Sequence, residues 1–324
     1  MTNAQRRISA VVCTRNRGAS ATATIESILA NTHPCFDVIL VDQSTNDDTE
    51  EATRTFRADP RFHYIRTPTQ GLGRARNIGL EAATAEVVAY TDDDCTVPSN
   101  WLDVIARAFE QHDRIAVVYC NVAAAPHDST KGFIPTYVRQ ESRLVRTLWQ
   151  KARSRGIGAG LAVRRAPILA IGGFDDLLGA GGMFPSCEDG DITVRALAKG
   201  YLVFETHEVA VLHFGFRTWE QGRELTRRDW IGVGAAYAKL LRTGHWGGLA
   251  VILYEGLLLG FFTPLAALLR WHKPQGFRRL IYLAEGLRLG LRMPVDPETI
   301  RFRLPYSATA DQQSEYTLPS HTGV

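Results

Sequence analysis

Short apolar runs rich in Val and Ile alternate, through the first half of the chain, with stretches whose apolar residues recur at helical spacing. Each run stops in a polar loop. Residues 8–13 (Ile-Ser-Ala-Val-Val-Cys) close on 14–18, and 36–41 close on the acidic loop 42–48. Residues 62–65 and 87–90 repeat the pattern, the last running straight into Thr91-Asp-Asp-Asp94. Between them, 21–30 place Ile25, Ile28 and Leu29 on one helical face, and 73–83 read as a second helix. Strands alternating with helices impose a mostly parallel sheet covered on both faces, with ligands outside the carboxyl ends of its strands. The fold class expected is therefore α/β and Rossmann-like, and three polar loops stand where a ligand would bind: 14–18, 42–48 and 92–94.

Farther on, 101–110 read as a helix and 115–121 as a strand, while 135–155 are long, basic and helical in spacing. Ser186-Cys-Glu-Asp-Gly-Asp191 opens a helix that Gly200 stops, and 208–212 form a strand ending at His213. A length of 324 residues leaves room for one large domain and a smaller one. With 45% hydrophobic and 22% charged residues, neither a disordered chain nor a fibre fits. The net charge of +3 is too weak for a nucleic-acid footprint, and no nucleic-acid partner is expected. It is unevenly spread: −2 over 1–216, +7 over 217–303 and −2 over the last 21 residues. Five cysteines, odd in number and without a Cys-x-x-Cys pair, argue for reduced thiols in a cytosolic setting and against a structural zinc. The apolar run at 8–13 is too short for a signal-peptide core, so secretion by a cleaved signal is not expected. Oligomeric state cannot be read from these features.

The basic third holds the apolar stretch 246–269, broken only by Glu255, Thr263 and Pro264. As a helix it would be about 36 Å long against a bilayer core of about 30 Å. A mid-span Glu costs about 2.5 to 3.5 kcal/mol and Pro264 would kink the helix, so a simple span is not secured. In 275–292, Phe277, Leu280, Ala284, Leu287 and Leu291 make one stripe with Arg278, Arg279, Arg288 and Arg292 beside it. Such a helix can lie at a membrane interface, or simply pack on its own domain. The organisation expected is 1–215 as the catalytic domain, 216–303 as a helical region in peripheral membrane contact through 244–292, and 304–324 as a disordered polar tail.

Three aspartates directly after an apolar strand repel one another unless a cation compensates them. Their oxygens suit Mg²⁺ or Mn²⁺, which bind through one or two carboxylates plus substrate phosphates. An acidic solvated loop is the plain alternative. Glu188 and Asp189, at the start of a helix, would also satisfy the helix dipole and need no function. In the company of a metal-type carboxylate group, a separate carboxylate supplies a general base, and Asp189 is the residue chosen for it. His213, at a strand end, can offer imidazole to the same metal. Gly71-Leu-Gly73-Arg-Ala-Arg76 imitates a dinucleotide fingerprint, but Arg76 stands where the third glycine belongs and the loop is not the first βα turn. Arg164-Arg165 and Arg227-Arg228 read as solvated faces. Trp219, Trp230 and Trp246 can stack on a ligand, anchor an interface or pack in a core.

The ordered set of these pieces resembles the family 2 glycosyltransferases, whose fold is GT-A. The matching text is Val11-Val-Cys-Thr-Arg-Asn-Arg17, Val41-Asp42 with the loop to Thr49, 71–79 with Ala75-Arg76-Asn77, Thr91 to Asp94 as the Asp-x-Asp motif, Gly172-Gly-Phe-Asp175 and Glu188-Asp189. It covers about 8–215. The resemblance implies an enzyme that moves a sugar from a nucleoside diphosphate sugar to a hydroxyl acceptor, a glycan or a lipid-linked one, by a single inverting displacement assisted by Mn²⁺ or Mg²⁺. By position it implies donor contacts from Thr14, Arg15, Asp42, Arg76, Asp92 and Asp93, metal ligation by Asp94 and His213, and Asp189 as base. Glu188 and Trp219 are the acceptor-side candidates. Gln43-Ser-Thr replaces the commoner Asp-Gly-Ser. The place expected is the cytoplasmic face of a membrane; the competing reading is an inactive nucleotide-sugar-binding or membrane scaffold.

Overall fold

Ile8–Thr14 (β1) and Phe36–Asp42 (β2) are buried along almost their whole length, as strands inside a parallel sheet must be when helices cover both faces. A computed structural model describes residues 6–152, 154–269 and 276–304. The tail at 305–324, and 270–275 of the expected membrane-contact region, lie outside the described residues. After β1 come α1 (Ser20–Leu29), β2, α2 (Asp48–Thr53), β3 (Phe62–Arg66), α3 (Leu72–Ala82), β4 (Val87–Asp92), β5 (Cys95–Thr96), α4 (Trp101–Glu110) and β6 (Ile115–Ala124). The chain continues through β7 (Gly132–Phe133), β8 (Arg143–Val145), α5 (Leu148–Lys151), β9 (Leu161–Arg164), α6 (Arg165–Ala170), α7 (Glu188–Ala198), β10 (Leu202–His213) and β11 (Arg217–Thr218). It closes with α8 (Trp219–Arg242), α9 (Gly247–Glu255), the π-helical turn Gly256–Phe262, α10 (Thr263–Leu269) and α11 (Phe277–Arg292).

The main sheet runs β3-β2-β1-β4-β9-β6-β10-β5, with β8 on β10. β1 pairs in parallel with both β2 and β4, and β6 with β10, while β9 lies antiparallel between β4 and β6. The carboxyl ends of β1, β2, β4 and β10 therefore share one edge. Thr14 is level with Asp42, and Cys13 with Asp92. This edge includes the point where successive strands leave β1 on opposite sides, which is where α/β sheets open a crevice. Ile8, Ala10 and Val12 face one apolar layer with α1 and α4, and Val11 faces the other with α3 and α7. Strand and helix assignments that the sequence reading made as far as Glu110 agree to within a residue or two, while β6 runs three residues past its expected end at 121 and α2 was not expected. One expectation fails: 135–155 form β8 and only a single helical turn, α5, because Val145 to Arg143 pair with Val203 to Glu205 of β10 and take the backbone into the sheet.

Thr218 and Gln221 cap α8 reciprocally, and α11 lies along it with Gly234 close against Gly286. The face α11 buries is Leu283, Gly286 and Gly290. Of the expected stripe, Phe277 and Leu291 stay exposed because glycines, not the leucines, permit the close crossing. Gly247–Ala266 is long and apolar enough to cross a membrane, with 33% of its most apolar window buried against the protein. Glu255 faces inward and accepts a hydrogen bond from Tyr237 (3.3 Å), whereas Leu253, Leu257, Phe261 and Phe262 face outward. Trp230 is buried, and Trp219 and Trp246 are exposed. All five cysteines are free thiols.

A sealed ionic cluster joins these helices to the sheet. Lys239 Nζ donates to Asp175 Oδ2 (2.6 Å) and stands 2.6 Å from Asp191 Oδ1, whose Oδ2 accepts from Arg195 Nε (2.8 Å). Arg195 also donates to the carbonyls of Ile171, Gly173 and Thr299, and Phe302 N donates to Asp175. Burial raises the Asp175 pKa, but Lys239 and its hydrogen bond outweigh that and hold it below the ordinary carboxylate value. A folded pKa lower than the unfolded one contributes stability above about pH 3.9, lost as pH falls through the folded value. Lys239→Met should therefore cost about 3 to 5 kcal/mol at neutral pH in denaturant unfolding. The gap from the natural protein should narrow below about pH 4; a gap independent of pH would contradict this account.

Candidate active site

The crevice at the strand ends is a cleft of about 500 Å³, lined among others by Thr14, Arg15, Arg17, Asp92, Asp93, Asp94, Glu188, His213, Arg228 and Asp229. Thr14 Oγ1 donates to Asp93 Oδ2 (2.7 Å), joining the end of β1 to the loop after β4. Asp42, fully buried at the end of β2, accepts from Ser44 N (2.8 Å) and from the Tyr64 hydroxyl (2.7 Å). Asn16, in a left-handed conformation (φ 54°), ties the first loop to the second: its N donates to Ser44 Oγ (2.8 Å) and its Oδ1 accepts from Thr45 N (2.9 Å). The two loops thus form one wall. Burial pushes the Asp93 carboxyl up to about 6 against the opposing pull of Thr14 and Arg17.

Asp92, Asp94, Cys95 and His213 each offer a ligand atom, and these atoms lie within 4.8 Å of one another. His213 Nδ1 is 3.0 Å from the Pro135 carbonyl, so it carries the proton and leaves Nε2 facing Asp94 Oδ1 at 3.2 Å. Burial raises the Asp94 pKa, but the His213 contact and the Arg17 charge bring it below the ordinary value. The Asp92 pKa is raised by burial, with Arg76 pulling the other way. The Cys95 thiol is pushed far up by burial and stays protonated at neutral pH. Two carboxylates and an imidazole are the donor set that remains, and it suits Mn²⁺ or Mg²⁺. Gly215 keeps this position open: a Cβ there would lie 2.5 Å from His213 Nε2 and 2.8 Å from Asp94 Oδ2.

The opposite wall is the start of α7. Cys187 precedes it with φ 74°, a left-handed backbone that is uncommon for a side-chain-bearing residue, and Glu188 after it lines the cleft. The Arg76 guanidinium, 2% exposed, bridges the walls at 2.9 Å from Glu188 and 3.6 Å from Asp92, with the rings of Tyr90 and Phe174 beneath it. Burial disfavours its charge, but Glu188, Asp92 and Asp189 together raise its pKa. The place of a third fingerprint glycine is thus filled by a buried cation. Burial also raises Glu188, against the pull of Arg76. Asp189, half-buried, accepts from Gly190 N (2.6 Å).

Of the candidates, Thr14, Arg15, Asp92, Asp93, Asp94, Glu188 and His213 line the cleft, and Arg76 braces it from beneath, while Asp42, fully buried, and Asp189 are not among the lining residues. Trp219 does not line it; its indole donates to the Thr130 carbonyl (3.1 Å) at the edge of a second cavity. Three groups escaped the sequence reading. Arg17, rather than exposed Arg15, reaches the aspartates, at 3.7 Å from Asp93 and 3.3 Å from Asp94. Asp229, held by Ser186 Oγ (2.7 Å) and pushed up by burial, enters from α8, and Arg228 beside it faces the cleft instead of solvent. An acid lodged between an arginine pair and an apolar helix was the available signal. Arg164 and Arg165 are not free faces either, since they bind the carbonyls of Ile115, Phe109, Leu80 and Glu81.

A curled, mostly parallel sheet with acids at its carboxyl edge and added C-terminal helices is the GT-A architecture of glycosyltransferases. Mannosyltransferase PcManGT from Pyrobaculum calidifontis, in complex with GDP-Man and Mn²⁺, has this fold, with a TM-score of 0.60 at 19% identity over 89% of this chain and 87% of that one. S. aureus TarS 1-349 in complex with UDP-GlcNAc has it too, with a TM-score of 0.53 at 15% identity over 90% and 95%. Residues 9–166, just under half of the chain, match the glycosyl transferase family 2 model. The glucosyl-dolichyl phosphate glucuronosyltransferase of Haloferax volcanii is 27% identical over 184 residues, 54% of this chain and 58% of that protein. An uncharacterized glycosyltransferase of Rickettsia felis is 28% identical over 109 residues, 34% of this chain and 18% of that protein. The chain spans less than two thirds of the length of these relatives.

Gly215→Ala should lower Mn²⁺ affinity roughly tenfold or more, measured by titration calorimetry, by crowding His213 and Asp94. Unchanged affinity would place the metal elsewhere.

Proposed function

We propose that the chain is an inverting glycosyltransferase that moves a sugar from a nucleoside diphosphate sugar to a hydroxyl of a membrane-held, lipid-linked acceptor. The observation that carries this reading is the opposition, across one cleft, of the Asp92–Asp94 and His213 group to the acidic head of α7, where Glu188 lines the cleft and Asp189 follows it in the same turn. Thr14 and Arg15 fit the base and ribose of the donor, with Asp93 fixed beside them through Thr14 and buried Asp42 holding the second loop in place behind them. Asp94 and His213 would hold Mn²⁺ or Mg²⁺, which when bound supplies positive charge to a departing diphosphate. Asp189 removes the proton from the acceptor hydroxyl as its oxygen attacks the anomeric carbon, and that single displacement inverts the centre. Arg76 keeps the acids of both walls in place, and Glu188 and Asp229 face the acceptor side.

Residues 1–215 carry the donor and the chemistry in this reading, and 216–303 the acceptor side and the membrane. Exposed Leu253, Leu257, Phe261, Phe262 and Ile281 make an apolar face on the part of the chain with a charge of +7. Such a face lies in the interface of an anionic leaflet instead of crossing it, since the helix's other side is packed on the protein. The five free thiols agree with the cytoplasmic leaflet.

Calorimetry with a panel of nucleoside diphosphate sugars should find one donor whose binding needs Mn²⁺ or Mg²⁺, and Asp94→Ala should abolish that binding. Asp189→Asn should lower kcat by about 10² to 10⁴ with donor affinity retained. Full turnover in Asp189→Asn would remove the base assignment. Leu257→Glu with Phe262→Glu should release the chain from vesicles containing anionic lipid while leaving donor binding intact; retention on the vesicles would place the membrane contact elsewhere.

A further inference from the structure

The second cavity, about 860 Å³, borders a face of α8 next to the one that lines the cleft. Arg223, Arg278 and Arg279 line it, no carboxylate does, and Phe133, Trp219 and Phe277 complete its apolar part. Neither Arg223 nor Arg278 has an ion-pair partner among the described residues. Arg279 Nε is buried without a hydrogen-bond acceptor, and its guanidinium lies 5.8 Å over the Trp230 ring. Burial and the like charge of Arg155 lower the Arg279 pKa. The cavity also receives the start of α11, where Gly276 leaves the first-turn amides without a side-chain cap and the turn contains no acid. Three like charges and a helix N-terminus converging without a counter-charge call for an anion, and planar guanidinium groups match phosphate oxygens in pairs.

A free anion would need only that polar part. The cavity mouth continues into an exposed aromatic track: the Phe277 ring is 6.4 Å from Phe261, which is 5.4 Å from Phe262. We propose that this cavity binds the phosphate of a membrane lipid, with the phosphate on Arg223, Arg278 and Arg279 and the hydrocarbon chain on Phe277, Phe261 and Phe262. The assignment rests on the reading above that the acceptor is lipid-linked, and it names where the lipid end is held. The two spaces take neighbouring faces of α8, for Leu225, Arg228 and Asp229 face the cleft while Gly222, Arg223 and Thr226 face the cavity.

The test is calorimetry of the full chain with dodecyl phosphate below its micelle concentration, with inorganic phosphate and dodecyl maltoside as the two partial probes. Dodecyl phosphate should bind roughly tenfold or more tighter than either. Arg223→Gln and Arg278→Gln should each weaken it about tenfold, and Arg223→Lys, which keeps the charge but loses the paired donors, should recover only part of that loss, with melting temperatures and donor binding unchanged. Equal binding of inorganic phosphate would make this a free-anion site and overturn the lipid assignment. Equal binding of dodecyl maltoside, or indifference to both glutamine variants, would overturn it as well. Donor binding is read in the same samples: dodecyl phosphate binding without any donor binding counts against glycosyl transfer and supports the lipid site, and the reverse counts against the lipid site alone.

Discussion

Two acids and two bases closed off from water, Asp175 and Asp191 against Lys239 and Arg195, hold the molecule's halves in register. Each charge alone would be ruinous at its depth, so the four persist only because every one faces an opposite charge and the spare donors reach backbone carbonyls. The members come from the loop before α7, from α7 itself and from α8, and Phe302 and Thr299 bring the end of the described chain to the same point. Asp191 is two residues from Asp189. The geometry of the cleft's acidic wall is thus set by an ionic lock one helical turn away.

The cleft follows a different electrostatic rule, since its charges are only partly compensated by the protein. Arg76 is shared between Asp92 and Glu188, Arg17 between Asp93 and Asp94, and the imidazole of His213 is left facing a carboxylate. Carboxylates held this closely, with the space at Gly215 kept clear, suit a divalent cation.

Much of this could be read from the chain alone, because strands of a parallel sheet are written as continuous apolar runs and the polar residue that ends each one marks the ligand edge. Thr14, Asp42, Asp92 and His213 were found in that way. Arg17 and Asp229 were not, for no local rule says which of two nearby arginines turns inward, or that an acid in a helix faces a cleft built mainly from strands. The stretch 135–155 misled because helical spacing in a basic segment says nothing about a partner edge such as β10, which took its backbone instead. The buried side of α11 was hidden for a related reason: glycines carry no hydrophobic signal, yet they decide which face comes closest.

α8 borders both spaces along its first turns, and a helix is stiff and of known rise. From Arg223 to Asp229 is six residues, about 9 Å along the axis. On the acceptor reading proposed above, a molecule moored at the arginine and reacting near the aspartate would have to span that interval, which would make the helix a ruler. Molecules with too short or too long a spacer between anchor and hydroxyl would then be rejected by length, before any pocket inspects their stereochemistry.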